Sequence, residues 1–124
     1  MLCVAGPHAI PISTATRLAV DSLVFALGRR REALARLRSN PAVAFCLLSE
    51  GLAFTAHGHA RVLREELESA PVAAVELRVE RVQDHLADGR TEMLGAPGWR
   101  WLDEEASAAD TAVRAELGLL RIGS

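Results

Sequence analysis

The spacing of apolar positions changes character along the chain, and each change predicts a different element. Pro7–Thr14 (PHAIPIST) reads as an extended segment, and Ser22–Gly28 (SLVFALG) is a second, more continuous apolar run. Between them Arg17–Asp21 must turn without a glycine, which predicts a connection longer than a two-residue hairpin. Arg29–Ser39 (RRREALARLRS) shifts to helical spacing, with Ala33, Leu34 and Leu37 on one face. Asn40-Pro41 ends that helix, because a residue before proline is pushed out of the helical region.

Ala42–Glu50 (AVAFCLLSE) is apolar at both parities, the pattern of a strand covered on both faces, and Cys46 inside it reads as a core residue. Leu52–Arg64 alternates: Leu52, Phe54, Ala56, Ala60 and Val62 share one face, and Thr55, His57, His59 and Arg61 share the other. The short turn at Ser49–Gly51 between these runs predicts an antiparallel hairpin. Val72–Val82 resumes the alternation through Val75, Leu77 and Val79, with a phase slip before Val82 that predicts a bulge. Asp103 is placed to cap a helix running through Leu117, with Glu104 and Glu105 favourable in its first turn and Gly118 a natural stop. Met93, Trp99 and Trp101 carry the remaining large apolar surface. Five or more strands with one inserted helix predict a small β-barrel with a crossover helix.

Composition narrows the class. The 124 residues, 50% hydrophobic and 24% charged, suit one ordinary domain that needs neither disulfide nor metal to fold. A net charge of −2 and a pI near 6.1 argue against a nucleic-acid binder, and no apolar run is long enough to span a bilayer. All 14 basic residues are arginine, in keeping with the codon bias of a GC-rich, bacterial genome, so any anion site must use guanidinium forks. Cys3 and Cys46 have no metal or redox spacing, and free thiols with no signal sequence predict a cytoplasmic protein.

Three features could carry chemistry. Arg29, Arg30 and Arg31 stand where a helix begins, at the positive end of its macrodipole, each costing about 0.3–1 kcal/mol if near and exposed. A bound anion reverses that conflict, since free helix N–H groups beside arginine forks make a phosphate site; Arg36 lies on the same short helix. The competing reading is a solvated basic patch relaxed by Glu32 and salt. Pro7 and Pro11 within one extended segment mark an irregular strand against which a flat ligand can lie, or simply a protected edge. His57 and His59 point the same way from one strand, as a metal site would want, but no spacing identifies a third ligand and Arg61 on the same face would repel a cation. No metal is expected.

The ordered series Pro7-His8-Ala9-Ile10-Pro11-Ile12-Ser13, Leu23-Val24-Phe25-Ala26-Leu27, Leu37-Arg38-Ser39-Asn40-Pro41, Val43-Ala44-Phe45 and Gly58-His59-Ala60-Arg61-Val62 resembles the pyridoxamine 5'-phosphate oxidase-like family of flavin-binding split barrels. The resemblance implies a mainly β fold: a split β-barrel of about six antiparallel strands over residues 1–84, one short crossover helix, and a C-terminal loop and helix over 85–124, all in a single domain. It implies a homodimer holding FMN at the subunit interface for hydride or electron transfer to a small substrate. By position, Pro11, Ile12 and Ser13 would neighbour the ring, Ala26, Leu27 and Gly28 would line the path to the phosphate, and Arg30, Arg31 and Arg36 would bind the anion.

The chain also departs from the pattern. Many members carry a serine and a lysine nine and seven residues before the Asn of the Asn-Pro pair, where this sequence has Arg31 and Ala33. It lacks the common N-terminal helix. Trp99-Arg100-Trp101 is the sole candidate for the C-terminal arginine segment that holds a vitamin B6 substrate, which argues against that substrate. Two other readings stay open: a reductase using a deazaflavin coenzyme, and a cofactor-free or flavin-storing or flavin-sensing binding protein. No general acid or base stands out beyond His8 and His57.

Overall fold

The computed structural model describes residues 1–120. The element order is β1 (Leu2–Val4), β2 (His8–Ile10), β3 (Thr16–Ala19), β4 (Ser22–Gly28), α1 (Glu32–Ser39), β5 (Ala42–Ser49), β6 (Leu52–Arg64), β7 (Val72–Asp84) and α2 (Glu104–Gly118). The strands form one antiparallel, seven-stranded sheet in the order β2-β1-β5-β6-β7-β4-β3, curled but not closed. This is a mainly β split barrel with a crossover helix and a C-terminal helix.

The two parities of the strands feed two separate cores. The inner face gathers Leu2, Val4, Ile10, Phe25, Leu27, Val43, Phe45, Ala56, Ala60, Val75 and Leu77, and α1 closes it with Ala33, Leu34 and Leu37. Phe25 and Phe45 meet with centroids 5.8 Å apart, a pairing worth about 0.5–1.5 kcal/mol beyond the area it buries. On the outer face α2 lays Val113 and Leu117 over Val24, Leu67 and Ala74. The continuous apolar run of β4 follows from this, because both faces of that strand are covered. Asp103 caps α2 as expected, its carboxylate accepting from the Glu105 N–H at 2.9 Å.

Several expectations are corrected. The segment read as one strand from Pro7 to Thr14 is shorter: Pro7 belongs to the β1–β2 turn beside Gly6 (φ 87°), and Pro11 follows the end of β2. β2 is nevertheless a sheet edge, so neither proline interrupts a ladder. Arg17–Ala19 is strand, and the turn to β4 is a two-residue hairpin, Ala19 pairing with Ser22. Neither Val20 nor Asp21 has positive φ, which excludes the mirror-image turns; a bulge between Arg17 and Ala19 takes up the mismatch, and the Arg17 guanidinium holds the Ala19 and Val20 carbonyls at 3.1 and 3.3 Å.

β5 is covered on one face only. Val43 and Phe45 point inward, whereas Ala42, Ala44, Cys46 and Leu48 lie along an open outer face, so Cys46 is half-buried there and not in the core. The phase slip in β7 is a bulge at Glu80: His57 pairs with Arg81 and Gly58 with Val79. Gly58 is required at that point, because a Cβ would stand 1.9 Å from the Arg78 carbonyl oxygen. Gly118 is the last helical residue of α2 and keeps negative φ; the helix closes at Leu119. No helix among the described residues is long and apolar enough to cross a membrane.

Candidate functional site

A groove of about 360 Å³ lies where the end of β2, the end of β4 and α2 converge. Its volume falls in the range of about 300–1,000 Å³ typical of small-molecule sites. Pro11, Ile12 and Ser13 form one wall, Ala26, Leu27 and Gly28 form the floor along β4, and Arg31 enters from the start of α1. Gly28 and Arg31 also border an adjoining basic hollow with Arg29, Arg30 and Pro71, so the groove continues into a cluster of guanidinium groups. Seven of the nine residues that sequence position assigned to a cofactor therefore meet in one concavity, and Arg30 lies in the next.

Arg36 does not join them. It bonds Glu32 through Nε and Nη2 at 3.1 and 2.8 Å, and its Nη1 donates to the carbonyls of Ala5 and Gly6 on the other side of α1. The reason is helical geometry: five residues beyond Arg31, at about 100° per residue, faces about 140° away. Glu32 is held below the usual carboxylate range by its hydrogen bonds from Arg36 and by the nearby positive charge of Arg36 and His8.

The start of α1 is poorly capped. Arg31 occupies the N-cap with extended backbone (φ −66°, ψ 136°) and no side-chain hydrogen bond into the first turn. The Glu32 and Ala33 N–H groups have no acceptor among the described residues. Arg29 meets Glu66 at 3.5 Å, while Arg30 and Arg31 form no ion pair among the described residues. Unpaired cations beside open amides repel one another in the free chain and suit a polyanionic group such as phosphate. Ala33, where a lysine is common in the resembling family, is buried in the inner core and faces away from this hollow.

The C-terminal third supplies the groove's other wall, which the sequence did not reveal. Trp101, Ala106, Ala109, Asp110 and Val113 line it. The Asp110 side chain is 9% exposed, forms an ion pair with Arg114 Nε at 2.8 Å and accepts a hydrogen bond from Ser13 Oγ at 3.0 Å. The Asp110–Arg114 pair is visible as an i,i+4 spacing on a predicted helix, but the contact to Ser13 spans 97 residues and has no local signal. Thr14 also lines the groove, its hydroxyl accepting from the Ala26 N–H at 3.0 Å.

The histidines lie elsewhere. His8 stands 3.5 Å from Glu32, and His57 engages Gln83 on the outer sheet face, so neither of these acid–base candidates lines the groove. His59 pairs with Glu80, and among the described residues no three His, Cys, Asp or Glu side chains converge as metal ligands do.

The chain is similar in fold to two solved structures. HupZ of Group A Streptococcus superposes with a TM-score of 0.58 at 13% identity, covering 79% of this chain and 86% of that one. A Listeria innocua protein provisionally named a pyridoxamine 5'-phosphate oxidase superposes with a TM-score of 0.54 at 19% identity, covering 68% and 84%. No protein-family model and no curated protein matches the sequence. The likeness is one of fold, that of the pyridoxamine 5'-phosphate oxidase-like split barrels.

Proposed function

We propose that this chain is a flavin-binding oxidoreductase, with FMN held in the groove between β2, β4 and α2. The observation that carries the reading is the continuity of an apolar groove with the unpaired guanidinium groups of Arg30 and Arg31 at an uncapped helix start. That arrangement matches an amphipathic ligand with a flat apolar body and a phosphate tail. Bound flavin would supply hydride or electron transfer, with an unknown small molecule as substrate. The chain's own residues do the rest. Arg30, Arg31 and the Glu32 and Ala33 amides would hold the phosphate; Pro11, Ile12, Ala26 and Leu27 would exclude water from the flat body.

The experiment is an absorption spectrum of freshly purified protein, then fluorescence titration with FMN and with a deazaflavin coenzyme. Arg30→Ala combined with Arg31→Ala should abolish flavin retention. Unchanged retention would refute the phosphate assignment, preference for the deazaflavin would select the reductase alternative, and binding of neither would leave a cofactor-free binding protein.

The same reading includes a homodimer. Cys3 on β1 and Ala44, Cys46 and Leu48 on β5 present an apolar outer face that the described residues leave partly exposed. A second copy of the chain would cover it and account for the two-sided apolar pattern of β5. Sedimentation equilibrium should show a dimer that Ala44→Arg dissociates; a wild-type monomer across the micromolar range would refute it.

A further inference from the structure

The groove's two hydroxyl groups have opposite hydrogen-bonding polarity, and a residue far along the chain sets one of them. A serine hydroxyl has a single proton. The Asp110 carboxylate, acceptor-only when ionised and nine-tenths buried, takes that proton from Ser13 at 3.0 Å. Arg114 Nε stands 2.8 Å from the other carboxylate oxygen and holds the group in place, leaving Oδ1 turned toward Ser13. Ser13 Oγ therefore offers only lone pairs to the groove. Thr14 is the reverse: its oxygen accepts the Ala26 N–H at 3.0 Å, and its own proton has no acceptor among the described residues. Consecutive residues thus present an acceptor and a donor to the same cavity.

From this we infer that Asp110 is a specificity-determining positioning residue, which fixes Ser13 as an acceptor so that the groove selects a heterocycle bearing a ring N–H beside a carbonyl. The inference rests on the flavin reading of the groove and narrows it to the imide edge of the ring. A ligand with only acceptors along that edge would leave Ser13 facing lone pair to lone pair, a buried mismatch that costs more than the bond is worth. Arg30 and Arg31 take the anionic end, so the two ends of the ligand are read by groups of opposite character.

The test compares FMN with FMN methylated at its ring imide nitrogen, the one ring N–H of the oxidised flavin. Wild-type chain should bind FMN about tenfold more tightly than the methylated analogue. Ser13→Ala removes the acceptor and should bring that ratio to about one. Asp110→Asn can donate its amide proton to Ser13, which turns the serine into a donor toward the groove; the ratio should fall to one or below. A purely structural role for Asp110 would weaken both ligands equally and leave the ratio unchanged. A ratio that Ser13→Ala moves but Asp110→Asn does not overturns the role of Asp110 alone, and a ratio that neither substitution moves overturns the whole inference while leaving the flavin reading standing. Binding of neither ligand by the wild type overturns the flavin reading and the inference with it.

Discussion

Replacing Arg31 by serine should make the free protein more stable and its ligand complex weaker. Arg31 is the N-cap of α1 yet contributes no hydrogen bond to the first turn, and it adds a positive charge at the positive end of the helix dipole. A serine there can accept from a first-turn amide, a gain of about 1 kcal/mol. Removing the charge adds a few tenths of a kcal/mol, at the low end because the side chain is exposed. Together, about 1–1.5 kcal/mol in a chain of 124 residues raises Tm by roughly 3–7 °C. The same substitution removes one charge-assisted hydrogen-bonding fork from a bound phosphate, about 1.5–3 kcal/mol, so FMN affinity should fall at least tenfold. Thermal unfolding followed by circular dichroism, with and without FMN, reads both effects on one sample. Lower stability of the ligand-free variant would refute the view that Arg31 is strained in place for an anion. Unchanged FMN affinity would refute the anion itself.

Arg36→Ala should do the reverse, because Arg36 ties α1 to the β1–β2 turn and faces away from the groove: unfolding free energy falls by about 1–2 kcal/mol in a urea titration, with FMN affinity unchanged. Leu117→Ala empties the fully buried anchor of α2 and should cost about 2–5 kcal/mol by the same assay. Glu116 gives an acid-dependent contribution. Partial burial pushes its pKa up, but the backbone N–H groups of Glu68 and Ser69 outweigh this and hold it below the ordinary 4.5. A pKa depressed by folding stabilises the native chain at pH above the unfolded value, and that contribution is lost as pH falls below 4.5 through the folded one. Glu116→Gln should therefore flatten the decline of Tm between pH 5 and 3 that the wild type shows, and an identical slope would count against the tether.

Elements with a local signature were legible in the sequence, and contacts across the chain were not. The face of α1, the β5–β6 hairpin, the bulge in β7 and the Asp103 cap all follow from spacing within a few residues. β1 is too short to show a period, and it exists because it pairs with both β2 and β5. The Val20-Asp21 turn was misread because its stability comes from a side chain, Arg17, and not from glycine. Arg36 was grouped with Arg31 by proximity along the chain, although the helix turns them apart. The α2 wall of the groove had no signal at all, since an i,i+4 acid–base pair is common on exposed helices and only the fold brings Asp110 to Ser13.

The outer face of the sheet explains how one small chain could bind a ligand and associate without the two interfering. Over β4 and the first half of β7 that face is sealed by α2, whose polar border reaches round to Ser13 and makes a groove wall. Over β5 the same face is partly exposed and apolar, with no helix among the described residues to seal it. A helix of 15 residues is about 22 Å long and strands sit about 4.8 Å apart, so α2 crosses only part of a seven-stranded sheet. The uncovered remainder must be hydrated or covered by another molecule. On the proposed reading, residues that would control association lie on β1 and β5, and residues that would control the ligand follow β2 or lie on β4, at the start of α1 and on α2. Ala44→Arg should dissociate a dimer while each chain keeps its fold, and Ser13→Ala should alter ligand discrimination while the dimer persists. A groove completed by the partner would break this independence, with Ala44→Arg then lowering FMN affinity and dimerisation together.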